Sequence, residues 1–367
     1  MKKFKLLSVV GARPNFIKMA PVCRSISKHP LEFDNFLCHT GQHFDHKMSD
    51  VFFDELGLMK PDFYLNVGPG SHAMQTARIM ESFESVVNRV QPDIVIVPGD
   101  VNSTLACALV ACKLGVKVAH IESGLRSFDR KMPEEINRIL TDTISDYLFT
   151  TEESAQVNLK NEGIDPNKVF FTGNVMIDSL VYCADRIDQS EILSKIAANE
   201  KEYVLVTFHR PSNVDSEEGL KKLTEFLNIV SLKRPVVFPI HPRTLANLIR
   251  FGLKDSLSSR IIISEPIGYF DFIRLIKGSF AVITDSGGIQ EETSFLKVPC
   301  ITVRESTERP VTVLKGTNFL AGTDFEKALS LFQEIEGGRC KTGEIPPLWD
   351  GKTADRIVEI LIKETRE

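Results

Sequence analysis

Short apolar runs alternate with amphipathic stretches along the whole chain. In the first half the runs that read as β-strands are Phe4–Val10, Asp34–His39, Ile94–Pro98, Lys117–Ile121, Tyr147–Thr151 and Val169–Thr172. In the second half they are Tyr203–Phe208, Val236–Ile240, Ile261–Ser264, Ala281–Thr284, Cys300–Val303 and Asn318–Leu320. Several are continuous rather than alternating, as in Ile94-Val95-Ile96-Val97, the pattern of strands covered by helices on both faces and therefore parallel. Strand and helix patterns alternate throughout, which predicts an α/β fold with parallel sheets. The polar stretch Asp185–Glu202 has no strong strand and marks a domain boundary. A last helix, about Ala354–Thr365, carries Ile357, Ile360, Leu361 and Ile362. The expected domains are 1–184 and 185–351, with 352–367 as a terminal helix.

Length agrees with that division, because 367 residues exceed what one hydrophobic core usually serves. The net charge of −5 provides no basic footprint for nucleic acid or an anionic membrane. Any anion site must be built locally, from helix N-termini, backbone amides and a few Arg or Lys. No apolar run approaches the roughly 20 residues of a membrane span. The lysines of Met1-Lys2-Lys3-Phe4-Lys5 precede an apolar stretch too short for a signal peptide, and the segment reads as the first strand. Seven scattered cysteines with no C-x-x-C pair argue against a disulfide framework or a zinc site and suit reduced thiols in the cytoplasm.

In open parallel sheets ligands bind outside the carboxyl ends of the strands. The residues expected there are Arg13, Gln42, His43, Asp100, Glu122 and Asn174, then His209, His241, Glu265, Asp285, Ser286 and Arg304. That concentration of polar and ionisable groups in both halves favours two facing domains and a cleft.

The turn Asp285-Ser286-Gly287-Gly288 between a strand and a helix suits a diphosphate, because glycines let backbone approach a ligand and a helix start offers free amides. A carboxylate one turn in, such as Glu292, can accept hydrogen bonds from ribose. A turn that merely uses glycine for tightness is equally compatible with these residues. Neither G-x-G-x-x-G nor G-x-x-x-x-G-K-[ST] occurs, so NAD and ATP are unsupported. Arg13 is a natural phosphate clamp. Lys18, one turn into its helix, opposes the helix dipole and calls for an anion. Asp100 sits where an N-cap would, and Glu134 and Arg138 stand four apart on one helix face. Acids converging in one place would suit proton transfer. His209 and His241 each stand beside an Arg at a strand end, able to donate to a phosphate oxygen. Zinc is unsupported, since two His come with no clustered Cys.

The series Gly11-Ala12-Arg13-Pro14-Asn15-Phe16-Ile17-Lys18, Thr40-Gly41-Gln42-His43, Gly99-Asp100-Val101-Asn102-Ser103-Thr104, His120-Ile121-Glu122-Ser123-Gly124-Leu125-Arg126, Pro133-Glu134-Glu135-Ile136-Asn137-Arg138, Gly173-Asn174, His209-Arg210, Ser286-Gly287-Gly288-Ile289-Gln290-Glu291-Glu292 and Thr307-Glu308-Arg309-Pro310 resembles the non-hydrolysing UDP-N-acetylglucosamine 2-epimerase family. It covers nearly the whole chain in order. The resemblance implies a GT-B architecture of two Rossmann-like domains across a cleft, the last helix crossing back to the first domain, and a homodimer. It implies reversible conversion of UDP-N-acetylglucosamine to UDP-N-acetylmannosamine, with no redox or metal cofactor, by elimination of UDP to a 2-acetamidoglucal and re-addition. Asp100, Glu122 and Glu134 match the catalytic acids and His209 the catalytic His, while Lys18 and Arg138 match further active-site positions. Arg13, Ser286, Gly287 and Gly288 match the diphosphate turn, Glu292 the ribose contact, and His241 and Arg309 complete the expected substrate side.

Two departures matter. Where many bacterial members read His-Arg-Arg-Glu-Asn, this chain reads His209-Arg210-Pro211-Ser212-Asn213. The segments around Asp45 and Met74 lack the polar pair used for a second, regulatory substrate molecule, so the resemblance does not carry allosteric activation over. The wording of Gly41-Gln42-His43-Phe44-Asp45 and Met132-Pro133-Glu134 resembles a subgroup that includes epimerases of UDP-2,3-diacetamido-2,3-dideoxyglucuronic acid. The rival activities are that epimerisation, a hydrolysing epimerase, and a GT-B glycosyltransferase.

Overall fold

The computed structural model describes residues 3–42, 53 and 55–364. His43, Asp45 and Thr365, which figured in the sequence reading, lie outside them. The chain divides into two compact units, Met1–Tyr182 with Pro347–Glu367, and Cys183–Pro346.

The first unit holds a seven-stranded parallel sheet: β1 (Phe4–Val10), β2 (Phe33–His39), β3 (Phe63–Tyr64), β4 (Ile94–Pro98), β5 (Lys117–Ser123), β6 (Tyr147–Thr150) and β7 (Val169–Phe171). Their order is β3-β2-β1-β4-β5-β6-β7. The second unit holds six parallel strands: β8 (Val204–Thr207), β9 (Val236–Pro239), β10 (Ile261–Ser264), β11 (Ala281–Thr284), β12 (Cys300–Thr302) and β13 (Asn318–Leu320). They run in the order β10-β9-β8-β11-β12-β13. In each sheet the first strand sits in the middle and the order reverses there, the Rossmann arrangement, so the favoured ligand position lies beyond the ends of β1 and β4 in one unit and of β8 and β11 in the other. Two parallel-sheet α/β units of this kind are those of the GT-B class.

The continuous apolar strands are buried as their pattern requires. Val95 and Val97 of β4 pack with Leu7, Val9, Phe83 and Ala108 in the first core. Val204, Val206 and Ile283 pack with Phe238, Leu227 and Phe332 in the second. No helix among the described residues is long and apolar enough to cross a membrane.

The two-residue strand β3 was not foreseen, since so short an edge element leaves no periodicity to read. The strand β5 runs on to Ser123, so Glu122 lies within it rather than after it, at a bulge where the register to β6 shifts. The first helix begins at Arg13, not near Asn15; Asn15 instead folds back and its Oδ1 accepts from the amides of Gly11 and Ala12 at 3.1 and 3.0 Å.

The terminal helix, Thr353–Glu364, belongs to the first unit. Asp178 caps it by accepting from the amides of Thr353 (3.1 Å) and Ala354 (2.7 Å), and Trp349 donates its indole N–H to the Thr151 carbonyl at 3.0 Å. Gly173 is required for this docking: its φ is +97°, and a Cβ there would lie 2.2 Å from the Leu348 carbonyl oxygen.

Candidate functional site

In the first unit, the ends of β1, β4 and β5 and the helix Pro133–Ile144 bring the expected ionisable residues together. Lys18, 6% exposed, places Nζ 2.6 Å from Oε2 of Glu122, itself 2% exposed. The anion that its position against the helix dipole called for is therefore a carboxylate of the same unit. The pair packs on Gly99, whose φ is +65° and whose hypothetical Cβ would lie 2.8 Å from Lys18 Nζ.

Asp100 is not an N-cap, because the helix Asn102–Lys113 is preceded by Val101 and has no side-chain cap. Arg138 holds it instead, with Nε and Nη2 donating to Asp100 Oδ2 at 3.0 and 2.6 Å. Asn137 Nδ2 donates to the Asp100 carbonyl at 2.9 Å, so one helix face fixes both main chain and side chain. The within-helix partner of Arg138 is Glu135, 2.7 Å away and three residues earlier, rather than Glu134. Glu135 turns inward and accepts from the amides of Ser127 (2.9 Å) and Phe128 (2.8 Å), while Glu134 stands half-buried at the helix start. Arg13 is half-buried at the first turn of its helix. Gln42 Oε1 accepts from the Ser103 amide and hydroxyl at 3.0 and 2.7 Å, tying the end of β2 to the helix after β4.

In the second unit, Asp285 is the hub. Fully buried at the end of β11, it accepts from the amides of His209 and Arg210 and from Asn213 Nδ2 at 3.1, 2.9 and 3.1 Å, and lies 3.1 Å from His209 Nδ1. Burial pushes its carboxyl up, but the hydrogen bond and charge of His209, with the Arg210 amide and Asn213, outweigh it and hold the group below the ordinary value. His209 is thereby held through its Nδ1, with 42% of its side chain exposed. The His241 ring lies 5.9 Å from that of His209. Its Nδ1 accepts from the Arg243 amide at 3.2 Å, capping the helix Pro242–Arg250. Partial burial, then the neighbouring His209 and Arg243, lower the His241 pKa and favour the neutral ring.

The Ser286-Gly287-Gly288 turn enters the helix Gly288–Phe295. Gly287 has φ −73°, and Gly288 is not among the glycines with positive φ, so conformation demands glycine at neither position. Space does. A Cβ on Gly287 would lie 3.0 Å from Arg309 Nη1, and a Cβ on Gly288 would point into open space, where backbone is left accessible. Glu291 holds Arg309 (2.9 Å to Nε), and Glu308 holds Arg304 through two hydrogen bonds of 2.9 and 2.6 Å. Glu292 is buried one turn into the helix.

The residues that sequence reasoning missed are Glu135 and Asp142, both buried on the helix Pro133–Ile144. A signal existed: Glu135, Arg138 and Asp142 follow an i, i+3, i+7 spacing, a charged stripe where an inward apolar face would be expected. Asp142 accepts from His120, Arg126 and the Gly124 amide at 2.7, 2.7 and 3.0 Å. Among the described residues no group of three or more His, Cys, Asp or Glu could hold a metal ion.

The arrangement offers paired acids and bases in one unit and an anion-receptive turn with a backed histidine in the other. Residues 24–362 match the family model described as UDP-N-acetylglucosamine 2-epimerase. The UDP-N-acetylglucosamine 2-epimerase of Methanococcus maripaludis is 43% identical over 371 residues, covering 99% of this chain and all of the relative. The UDP-2,3-diacetamido-2,3-dideoxy-D-glucuronate 2-epimerase of Pseudomonas aeruginosa is 44% identical over 367 residues, covering 98% and 99%. The crystal structure of the Methanocaldococcus jannaschii UDP-GlcNAc 2-epimerase in complex with UDP-GlcNAc and UDP superposes with a TM-score of 0.90 at 43% identity, over 98% of this chain and 100% of that one.

Proposed function

The chain belongs to the UDP-N-acetylglucosamine 2-epimerase family, and from that premise we propose that it interconverts UDP-N-acetylglucosamine and UDP-N-acetylmannosamine without net hydrolysis. The observation that carries this reading is two ion pairs at neighbouring strand ends, Lys18–Glu122, buried on both sides, and Arg138–Asp100, whose carboxylate is partly exposed. They supply two carboxylates held at fixed positions by cations, the equipment for moving a proton on and off carbon.

Carbon 2 of the sugar carries no acidic proton, so its removal must be coupled to loss of a good leaving group. A carboxylate takes the proton from carbon 2 while the bond from carbon 1 to oxygen breaks and its electron pair leaves with UDP. A carbon 1–carbon 2 double bond forms, giving the 2-acetamidoglucal. Protonation at carbon 2 from the opposite face and return of the UDP oxygen to carbon 1 complete the inversion, with no change of oxidation state. Asp100, Glu122 and Glu134 are the candidate proton carriers. Arg13, Ser286, Gly287, Gly288 and Arg309 are the diphosphate contacts, Glu292 the ribose contact, and His209, backed by Asp285, donates to the departing phosphate oxygen. His241 serves the same side as a neutral donor. The sugar-handling role thus falls to the unit Met1–Tyr182 and, apart from Arg13, the UDP-holding role to Cys183–Pro346.

Incubation with UDP-N-acetylglucosamine in deuterated water tests the reading. The expected outcome is UDP-N-acetylmannosamine with deuterium at carbon 2 of both epimers; free N-acetylmannosamine and UDP would show hydrolysis instead. A second substrate, UDP-2,3-diacetamido-2,3-dideoxyglucuronic acid, is favoured by the 44% identity to the Pseudomonas enzyme and belongs in the same assay. A nucleotide-sugar substrate and free cysteines suit the cytoplasm. A homodimer suits the family and the exposed Met74, Ile136 and Leu140 on helices of the first unit.

A further inference from the structure

His120 takes no part in the chemistry above, yet it is completely buried on β5, the strand that carries Glu122, and pairs there with Val97 of β4, the strand that leads to Asp100. Its Nε2 lies 2.7 Å from the Gly99 carbonyl oxygen and its Nδ1 lies 2.7 Å from Asp142 Oδ1. A carbonyl oxygen can only accept. Asp142 Oδ2 already accepts from the Gly124 amide and from Arg126, and Oδ1 is left for the ring. A neutral imidazole has one N–H and one lone pair, so it could satisfy only one of these two neighbours. The His120–Asp142 pair must therefore hold two protons at the ring nitrogens or between ring and carboxyl.

Asp142 is the poorer place for the extra proton. Its Oδ2 is already committed to the Arg126 guanidinium and the Gly124 amide, donors that favour the carboxylate over the carboxylic acid. The chain of charges at the ring balances with His120 as a cation: His120 and Arg126 face Asp142 and Glu162, which takes Arg126 at 2.7 and 2.6 Å. A buried charge compensated in this way is tolerated, whereas removing one partner exposes the other to a large desolvation penalty.

The consequence falls on the active-site carboxylates. The Gly99 amide donates to the Ile121 carbonyl at 2.9 Å, and the Gly99 carbonyl accepts from His120, so both ends of this residue are tied to β5. Asp100 is the next residue. On the other side, Asp142 holds the Gly124 amide just past the bulge that gives Glu122 its φ of +70°. His120 and Asp142 thus clamp the strand end on each side of Glu122.

We propose that His120, carrying both ring protons, is a positioning residue for the reaction: with Asp142 it fixes where the carboxylates of Asp100 and Glu122 stand, without touching the substrate. The role in catalysis rests on the epimerase reading, whereas the proton count does not.

The test uses the full chain. In protein labelled with 15N-histidine near pH 7, the ring signals lost in His120→Gln identify His120. One-bond N–H couplings at both nitrogens are expected; a neutral tautomer overturns the proposal. His120→Asn, His120→Gln and Asp142→Asn are then compared for turnover of the UDP-sugar. The expected result is a kcat loss of about 30-fold or more with KM within about threefold, and unchanged affinity for UDP, because a misplaced proton carrier slows chemistry rather than binding. His120→Asn combined with Asp142→Asn should lose no more than the worse single change, since the two act as one unit. Values of kcat within about threefold of the parent, or losses matched by weakened UDP binding and a lowered Tm, would show a role in folding alone. If the parent protein turns over no UDP-sugar, the proposed function fails, and the positioning role in catalysis fails with it, while the ring couplings still decide the proton count.

Discussion

Lys18 Nζ and Glu122 Oε2 meet at 2.6 Å with both side chains almost wholly buried. The residues come from different elements, the first helix and the bulge of β5, and Gly99 closes over them because it has no Cβ. Lys18→Met should leave the Glu122 carboxylate buried without its cation and cost about 3–5 kcal/mol, the usual range for breaking such a pair. Chemical denaturation measures that loss. Lys18→Met combined with Glu122→Gln should recover part of the stability and none of the turnover; recovery of turnover would mean that Glu122 carries no proton.

Arg138 reaches Asp100 through two nitrogens and Glu135 through a third. A lysine is a point donor and cannot span both. Arg138→Lys is expected to lower kcat by at least about tenfold while UDP affinity stays the same, since Arg138 is not among the proposed diphosphate and ribose contacts. Steady-state kinetics and UDP titration together check this.

The two glycines of the second-unit turn should respond differently. Gly288→Ala places its Cβ in open space at a backbone conformation that alanine accepts, so Tm should hold while UDP binding weakens by about tenfold or more if the diphosphate lies against this backbone. Gly287→Ala pushes against the Arg309 guanidinium and should lower both. Calorimetric titration with UDP beside a thermal melt separates the outcomes.

Asp285 makes the second unit acid-sensitive. Its folded-state pKa lies below the unfolded value of about 3.9, so the unfolded chain binds the proton more readily there. Stability from this group is complete above that pH and is lost as pH falls through the lower folded value. Urea unfolding between about pH 3 and 6 should show the decline, and Asp285→Asn should flatten it while lowering stability at neutral pH.

Much of the fold could be read from the linear chain. Runs such as Ile94–Val97 announce buried parallel strands because no alternating pattern is needed when helices cover both faces. The positions after those strands are reliable places to look for chemistry because the reversal of strand order leaves room there. Asp100, His209 and Asp285 were singled out in that way, and each stands in an ion pair. Glu135 and Asp142 were not, because an acid on a helix reads as solvated unless its partners are known.

Pairing was beyond linear reading for the same reason. Four-residue spacing pointed Arg138 to Glu134, yet its ligands are Glu135 and, 38 residues away, Asp100. Asp100 looked like a helix cap and Gly287 like a turn former; neither local explanation survived, since packing against distant side chains sets both. Local pattern is written in periodicity and propensity, which act over a few residues and so determine the element types and the class of fold. Which carboxylate faces which cation, where the proton of His120 sits and why a glycine is needed depend on the register of parallel strands and the packing of the helix Pro133–Ile144. Those relations exist only once the sheet has formed.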